Sequence, residues 1–222
     1  MYELKKQLLP KGFFRRPGGN YPVKSITLHS TANPNSTPQN ERDWLENPAN
    51  QREASFHYVV GDGVVIQAIP DAEEAYHCKN TVGNRFSVSV EMIESGNRRG
   101  VLDTTAEFVA DKMREYDLGI ADIKWHRDWY PKDCPRIFIK KDCIQPGLGW
   151  AFFRGRLDFY LKQKQQEDKT MYYQTVESLP EWGRPTIEKL VAAGAFADPN
   201  LLNLSEDMLR IFVVLDRMGV LK

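Results

Sequence analysis

The stretch WHRDWYPKDCP, residues 125–135, holds an imidazole at His126, an ammonium at Lys132 and a thiol at Cys134. Its prolines and aromatics argue against a regular helix, because proline lacks the N–H that a helix interior needs. A His and a Cys eight residues apart on a loop can turn back onto a single metal ion, with Lys132 beside it rather than on it. That pattern suits zinc hydrolysis, provided a third ligand comes from elsewhere. His29, in Leu28-His29-Ser30-Thr31, is the candidate. His29, His126 and Cys134 would leave one tetrahedral position open, as catalytic zinc sites do and structural ones do not. Two neutral imidazoles and one thiolate leave a Zn²⁺ site at about +1, enough to lower the pKa of bound water toward 7. The competing reading is a strand-end His and a buried Cys with no metal between them.

The elements that must position these residues are legible in the pattern. Residues 23–29 alternate apolar and polar, as a half-buried strand does, and the turn-rich residues 30–38 form the loop at its end. A helix follows over 39–46. Residues 54–60 and 64–69 flank Gly61-Asp62-Gly63, a hairpin signal. Residues 87–93 read as another strand. Thr104 and Glu107 have the spacing of a capping box for a helix carrying Phe108, Val109, Met113 and Tyr116 on one side. Residues 120–125 read as a short strand leading into His126, and 150–164 as a helix closing the domain. Strands interspersed with helices predict an α/β layer domain.

The polar run KQKQQEDKT, residues 162–170, reads as a linker (163–170) or a solvated helix tail. It separates a domain over 1–162 from a module over 171–222 with helical periodicity. There Pro185 suits a first helical turn, Ile187, Leu190 and Val191 follow, and Gly194 ends the run. Ser205 can cap a second helix with Met208, Leu209, Phe212, Leu215 and Met218. So small a unit makes little core alone, and packing on the first domain or forming a homodimer through its helices would compensate.

Lys and Arg number 30 and so do Asp and Glu, for a formal net charge of zero over 222 residues. A bulk electrostatic hold on nucleic acid or an anionic membrane is therefore not expected, while specific recognition of a neutral or mixed polymer stays open. Three cysteines at irregular spacing are no disulfide framework and fit a reducing cytosol. Cys78 and Cys143 are expected to be ordinary buried thiols. The basic N-terminal stretch has apolar pieces only two residues long, too short for a signal-peptide core. No window reaches the roughly 20 apolar residues of a membrane span. If the protein acts beyond a membrane, another component must let it out.

LHST (28–31), ASFHYVVGDGVVIQAIPD (54–71), AYHCKN (75–80), NRFSVSVEMI (84–93) and WHRDWYPKDCP (125–135) occur in that order. With them the chain resembles the zinc-dependent N-acetylmuramoyl-L-alanine amidases, the family of phage endolysins and peptidoglycan recognition proteins, over roughly residues 20–160. The resemblance implies a mixed central β-sheet flanked by helices and one Zn²⁺ on His29, His126 and Cys134. It implies hydrolysis of the amide between N-acetylmuramic acid and L-alanine in peptidoglycan. Lys132 matches a Lys that points at the scissile carbonyl in some members, where it can stabilise the oxyanion. Other members place a Tyr where this chain has Phe56, which has no proton to exchange, so general-base work shifts to Glu91. Glu94, three residues on, is expected to face away from Glu91. His77, Asn84 and Thr31 match groove positions that contact substrate. His57, alternating with Phe56 and Tyr58, reads as a satisfied core histidine.

Residues 179–221 resemble short helical modules of clostridial amidases, which points to a clostridial phage or prophage. They imply a wall-binding role with exposed Tyr172, Tyr173 and Trp182 stacking on sugars. The leading expectation is an endolysin released by a holin partner. A peptidoglycan receptor without catalysis and a cytosolic amidase recycling anhydro-muropeptides are the alternatives.

Overall fold

The computed structural model describes residues 1–169 and 172–221, which divide into two units, Met1–Leu161 and Lys162–Lys222. The first contains β1 (Glu3–Lys6), β2 (Ser25–Ser30), α1 (Pro38–Glu46), β3 (Tyr58–Val60), β4 (Val64–Gln67), α2 (Thr81–Phe86), β5 (Ser87–Met92), α3 (Arg98–Glu115), β6 (Ile123–Trp125), α4 (His126–Trp129) and α5 (Arg136–Ile139). Helix α6 (Trp150–Lys169) follows. The strands form one sheet in the order β1-β4-β3-β5-β2-β6. Only the β3–β4 hairpin is antiparallel; the other pairings are parallel, so the sheet is mixed and flanked by helices.

Every residue of β2 is buried, as expected of a central parallel strand covered on both faces. Side chains alternate along it, so Ile26 and Leu28 point to one face and Ser25, Thr27 and His29 to the other. On β5, Val88, Val90 and Met92 share the first face with Ile26 and Leu28, because the register pairs Ile26 with Val88 and Leu28 with Val90. These five side chains join Phe108, Val109, Phe153 and Leu157 in the main apolar cluster. The opposite face carries small polar groups in matched pairs: Ser25 with Ser87, Thr27 with Ser89, His29 with Glu91.

Several boundaries differ from the sequence reading for identifiable reasons. Strand β3 begins at Tyr58 rather than residue 54, because the His57 N–H leaves the ladder and donates to Ser89 Oγ (2.9 Å). Helix α3 begins at Arg98, six residues before the expected cap, so the Thr104–Glu107 capping box is not one. Thr104 lies inside α3, where its hydroxyl accepts the Gly63 N–H of the hairpin turn (2.9 Å). Glu107 meets the N-terminal ammonium (3.1 Å). The 125–135 stretch contains one helical turn, α4, started where the Trp125 N–H donates to Asp128 (2.7 Å). Helix α6 runs to Lys169, so the charged stretch read as a linker is helical as far as it is described, and Thr170 lies outside the described residues.

The second unit has the two anticipated helices, α7 (Arg184–Ala192) and α8 (Glu206–Arg217), with the Ser205 hydroxyl capping α8 through the Met208 N–H (3.2 Å). It is not wholly helical. Strand β7 (Tyr172–Tyr173) pairs antiparallel with β8 (Leu204–Ser205). The ladder draws Tyr173 into a core with Leu179, Ile187, Leu190, Leu202, Leu204 and Leu209. At 5% exposure Tyr173 has no face to offer a sugar, which corrects its assignment to wall binding.

One buried charge cluster ties the hairpin to α3. Asp71 accepts from Lys112 Nζ (2.7 Å), Tyr116 OH (2.6 Å), Gln67 Nε2 (3.1 Å) and the Tyr58 hydroxyl. Burial pushes its carboxyl upward, but Lys112 and the donors outweigh that and hold it below the usual carboxylate range. Asp71→Asn should therefore cost about 2–3 kcal/mol at neutral pH, since it leaves Lys112 short of a buried counter-charge. A lowered folded-state pKa means that this contribution is present above the ordinary value of 3.8 and fades as pH falls below it. Denaturant titrations of both proteins check this; a deficit that does not shrink in acid would contradict it.

Candidate metal centre

His29 stands near the carboxyl end of β2, with Glu91 of β5 as its register partner. Ligands of open α/β sheets collect at the carboxyl ends of parallel strands. Strand β6 pairs with β2 and ends at Trp125, so His126, the first residue of α4, arrives at the same edge. Cys134 returns there by a tight loop, its carbonyl accepting the Arg127 N–H (3.3 Å). Helix α5 follows, and its Arg136 N–H donates to Ser30 Oγ (3.1 Å), fastening the loop to the end of β2. The Arg136 guanidinium also grips the Glu94 carboxylate, Nη2 to Oε2 at 2.6 Å and Nε to both oxygens at 2.8 and 2.9 Å. Glu94 accepts the Ala32 N–H as well (3.0 Å), so the loops after β2 and before α5 hang on one carboxylate.

The three expected ligands converge. His29 Nδ1 lies 3.0 Å from His126 Nδ1 and 3.7 Å from Cys134 Sγ, and one donor atom from each residue fits within 4.8 Å. Metal–ligand bonds of about 2.0–2.3 Å in a tetrahedron space their ligands about 3.3–3.7 Å apart, close to what is seen. The residues are 1%, 4% and 4% exposed. Burial, with His77, His126 and Lys132 adding, holds His29 well below the imidazole range, and burial with Lys132 and Lys79 lowers His126 to about 4. Both rings are therefore neutral and offer lone pairs. Burial, with the Glu91 charge, pushes the Cys134 thiol up to about 12, so a cation is needed to draw out the thiolate.

His126 Nε2, Glu91 Oε2 and Thr31 Oγ1 are buried without a hydrogen-bond partner. Buried polar atoms are nearly always paired, and these three belong to residues that line one cleft, which a polar ligand can enter. The donor set and these orphans fit a metal ion and a polar substrate.

A cleft of about 510 Å³ opens over the centre, its lining including Thr31, Phe56, His77, Glu91 and Lys132. Glu91 Oε1 is 3.9 Å from His29 Nδ1. Burial lifts the Glu91 carboxyl to about 8 against the pull of Lys132. Phe56 is a buried wall with no exchangeable proton. Glu94 does not line the cleft, being held by Arg136 and Ala32.

Other expected site residues have different duties. Asn84 does not line the cleft: its Oδ1 accepts the backbone N–H groups of His77 and Cys78 (3.1 Å each), bracing the AYHCKN loop. That corrects its assignment as a substrate contact. His77 borders the cleft, yet both ring nitrogens are occupied, one by His29 and one by the Gly83 carbonyl. His57 is a satisfied core group, with Nδ1 at Ser89 Oγ (3.0 Å) and Nε2 at the Glu73 carbonyl (2.9 Å). Cys78 is buried, whereas Cys143 is half-exposed, which corrects the expectation that both are buried thiols.

The sequence reading missed the supports. Thr27 Oγ1 bonds Ser87 Oγ (2.6 Å) and accepts the Trp129 indole N–H (2.9 Å), tying β2 to β5 and to α4. The signal was present in SITLHS and SVSVEM, where small polar residues alternate with apolar ones and each series ends on a chemically active side chain.

The α/β domain thus gathers two histidines and a cysteine beside a carboxylate at the carboxyl edge of its sheet, a group that could hold a metal ion. The family model described as N-acetylmuramoyl-L-alanine amidase matches residues 19–137, and the chain belongs to that family. It is 39% identical over 130 residues to the N-acetylmuramoyl-L-alanine amidase CwlA of Bacillus subtilis (strain 168), covering 54% of this chain and 46% of that one. Against the amidase XlyA of the same organism it is 25% identical over 213 residues, covering 93% of this chain and 67% of the relative. The solved catalytic domain of XlyA superposes with a TM-score of 0.62 at 25% identity, covering 70% of this chain and 99% of that domain. The chain thus spans about half the length of CwlA.

Proposed function

We propose that the first unit is a peptidoglycan hydrolase that cleaves the amide between N-acetylmuramic acid and L-alanine, using Zn²⁺ on His29, His126 and Cys134. The convergence of those donors beside Glu91, in a chain of the amidase family, carries this reading. Two nitrogens and one sulfur with an open tetrahedral position suit zinc better than harder cations. Once bound, zinc would supply Lewis acidity toward a water and the scissile carbonyl.

The chain's own residues do the rest. Glu91 accepts the proton of the attacking water and returns it to the amine of L-alanine as the C–N bond breaks. A carboxyl titrating near neutrality suits both halves of that transfer. Lys132, on the exposed lip of the cleft, donates to the carbonyl oxygen as negative charge builds there. Thr31 Oγ1, buried without a partner, is free to bond the substrate. In this reading the protein is an endolysin, acting on the wall after release from a host cytoplasm by a holin partner. The intact donor set supports catalysis over a receptor role.

For the second unit, wall adhesion rests on Tyr172 and Trp182 alone, both exposed. A specific observation supports pairing with a second copy instead. Met208, Ile211, Val214 and Met218 form an exposed apolar stripe along α8. The helix is acidic at its start (Glu206, Asp207) and basic at its end (Arg217), so an antiparallel partner α8 would match apolar with apolar and acid with base.

Incubation with purified sacculi should release new L-alanine amino termini, and a chelator should abolish the release. Glu91→Gln should lower kcat by about 10²–10⁴-fold, and Lys132→Ala by about 10²-fold, with bound zinc unchanged in both. No release from sacculi would sink the lytic reading, and cleavage confined to soluble anhydro-muropeptides would favour the recycling one. Sedimentation of the full chain should show a dimer that Ile211→Glu converts to monomer; a monomeric wild type would remove the pairing.

A further inference from the structure

The histidine next to His29 decides which nitrogen of His29 can face a metal. His77 Nε2 lies 3.1 Å from the Gly83 carbonyl oxygen. A carbonyl can only accept, so Nε2 carries the proton. The ring is buried and neither nitrogen meets a carboxylate, so His77 is neutral and its Nδ1 is bare. That Nδ1 is 3.1 Å from His29 Nε2. A bare nitrogen can only accept, so His29 must carry its proton on Nε2. The remaining lone pair of His29 is then on Nδ1, the atom 3.0 Å from His126 Nδ1 and 3.7 Å from Cys134 Sγ.

From this chain of donors and acceptors we infer that His77 is a positioning residue, locking His29 in the tautomer and ring orientation that present Nδ1 to the metal. The inference rests on the metal reading above. Metal-bound histidines commonly donate their second N–H to a carboxylate or a backbone carbonyl. A neutral imidazole in that place orients the ligand without adding negative charge behind it. The centre keeps its positive charge, and with it the capacity to acidify a water. The Gly83 carbonyl, on α2, is the fixed end of the relay, and Asn84 braces the His77 backbone from the same helix.

Two substitutions separate positioning from mere loop support. The Oδ1 of His77→Asn falls where Nδ1 was and can still accept from His29. The amide nitrogen of His77→Gln falls where Nε2 was and keeps the Gly83 bond without serving His29. The readouts are the Zn²⁺ dissociation constant of the full chain, by competition with a chromophoric chelator, and the Tm of the metal-free protein. We expect His77→Gln to bind Zn²⁺ about 10–100-fold more weakly and His77→Asn to stay within about 3-fold of wild type. The visible bands of the Co²⁺-loaded protein should change in His77→Gln and persist in His77→Asn. Equal affinity in all three proteins would overturn the assignment. So would a Gln variant that binds better than the Asn variant, since that pattern belongs to loop support through Gly83. Wild-type protein that binds no Zn²⁺ would instead overturn the metal reading, and the proposal with it.

Discussion

The parallel pairing of β2 with β5, residue for residue from Ser25–Ser87 to His29–Glu91, sets His29 beside Glu91 at the edge where the cleft opens. Because side chains alternate with a period of two, a slip of one residue would turn His29 and Thr27 into the apolar layer and bring Leu28 to the cleft. Each buried hydroxyl or imidazole stranded there would cost roughly 1–3 kcal/mol. In the observed register most of the polar face is paired, Glu91 Oε2 being the exception. Thr27 bonds Ser87 and Trp129, Ser89 bonds His57, and His77 bonds His29. The apolar face holds the strands together while the polar face is left to chemistry.

Above that sheet edge the loops are held by backbone and charge as well as by the apolar packing of Ile137 and Phe138. Glu94 serves Arg136 and Ala32 together, and Ser30 takes the first N–H of α5. Elsewhere the buried guanidinium groups differ: Arg15 donates to the carbonyls of Leu45, Asn50 and Arg52, whereas Arg98 and Arg184 keep buried nitrogens without a partner. Around the centre, Thr31, Glu91 and His126 each keep a buried atom without a partner. Those three residues line the cleft, where a polar ligand can supply the missing partners.

Much of this was legible in the residues. The strand ending at His29, the Gly61-Asp62-Gly63 hairpin, the Ser205 cap and the His126–Cys134 spacing all follow from local rules. The meeting of His29 with His126, 97 residues away, does not. It depends on β6 pairing beside β2, and the resemblance to a known family supplied it before the structure did. The Thr104–Glu107 pattern misled because a capping box and an interior Thr that serves a distant turn look alike locally. Asn84 was assigned to substrate because its type suits hydrogen bonding, yet its Oδ1 is consumed by its own loop. The burial of Tyr173 is not legible locally, because a two-residue ladder leaves almost no pattern. His77 looked like a groove residue because tautomer relays depend on distances that spacing does not encode.

In the proposed centre two imidazoles and a thiolate, brought together by this register, hold one metal ion with a position left open. X-ray absorption at the zinc edge of the metal-loaded full chain tests it most directly. The proposed donor set requires two nitrogen scatterers at about 2.0–2.1 Å, one sulfur at about 2.3 Å and one light, exchangeable scatterer. A spectrum with no sulfur, or with a closed shell of six oxygens, would contradict it.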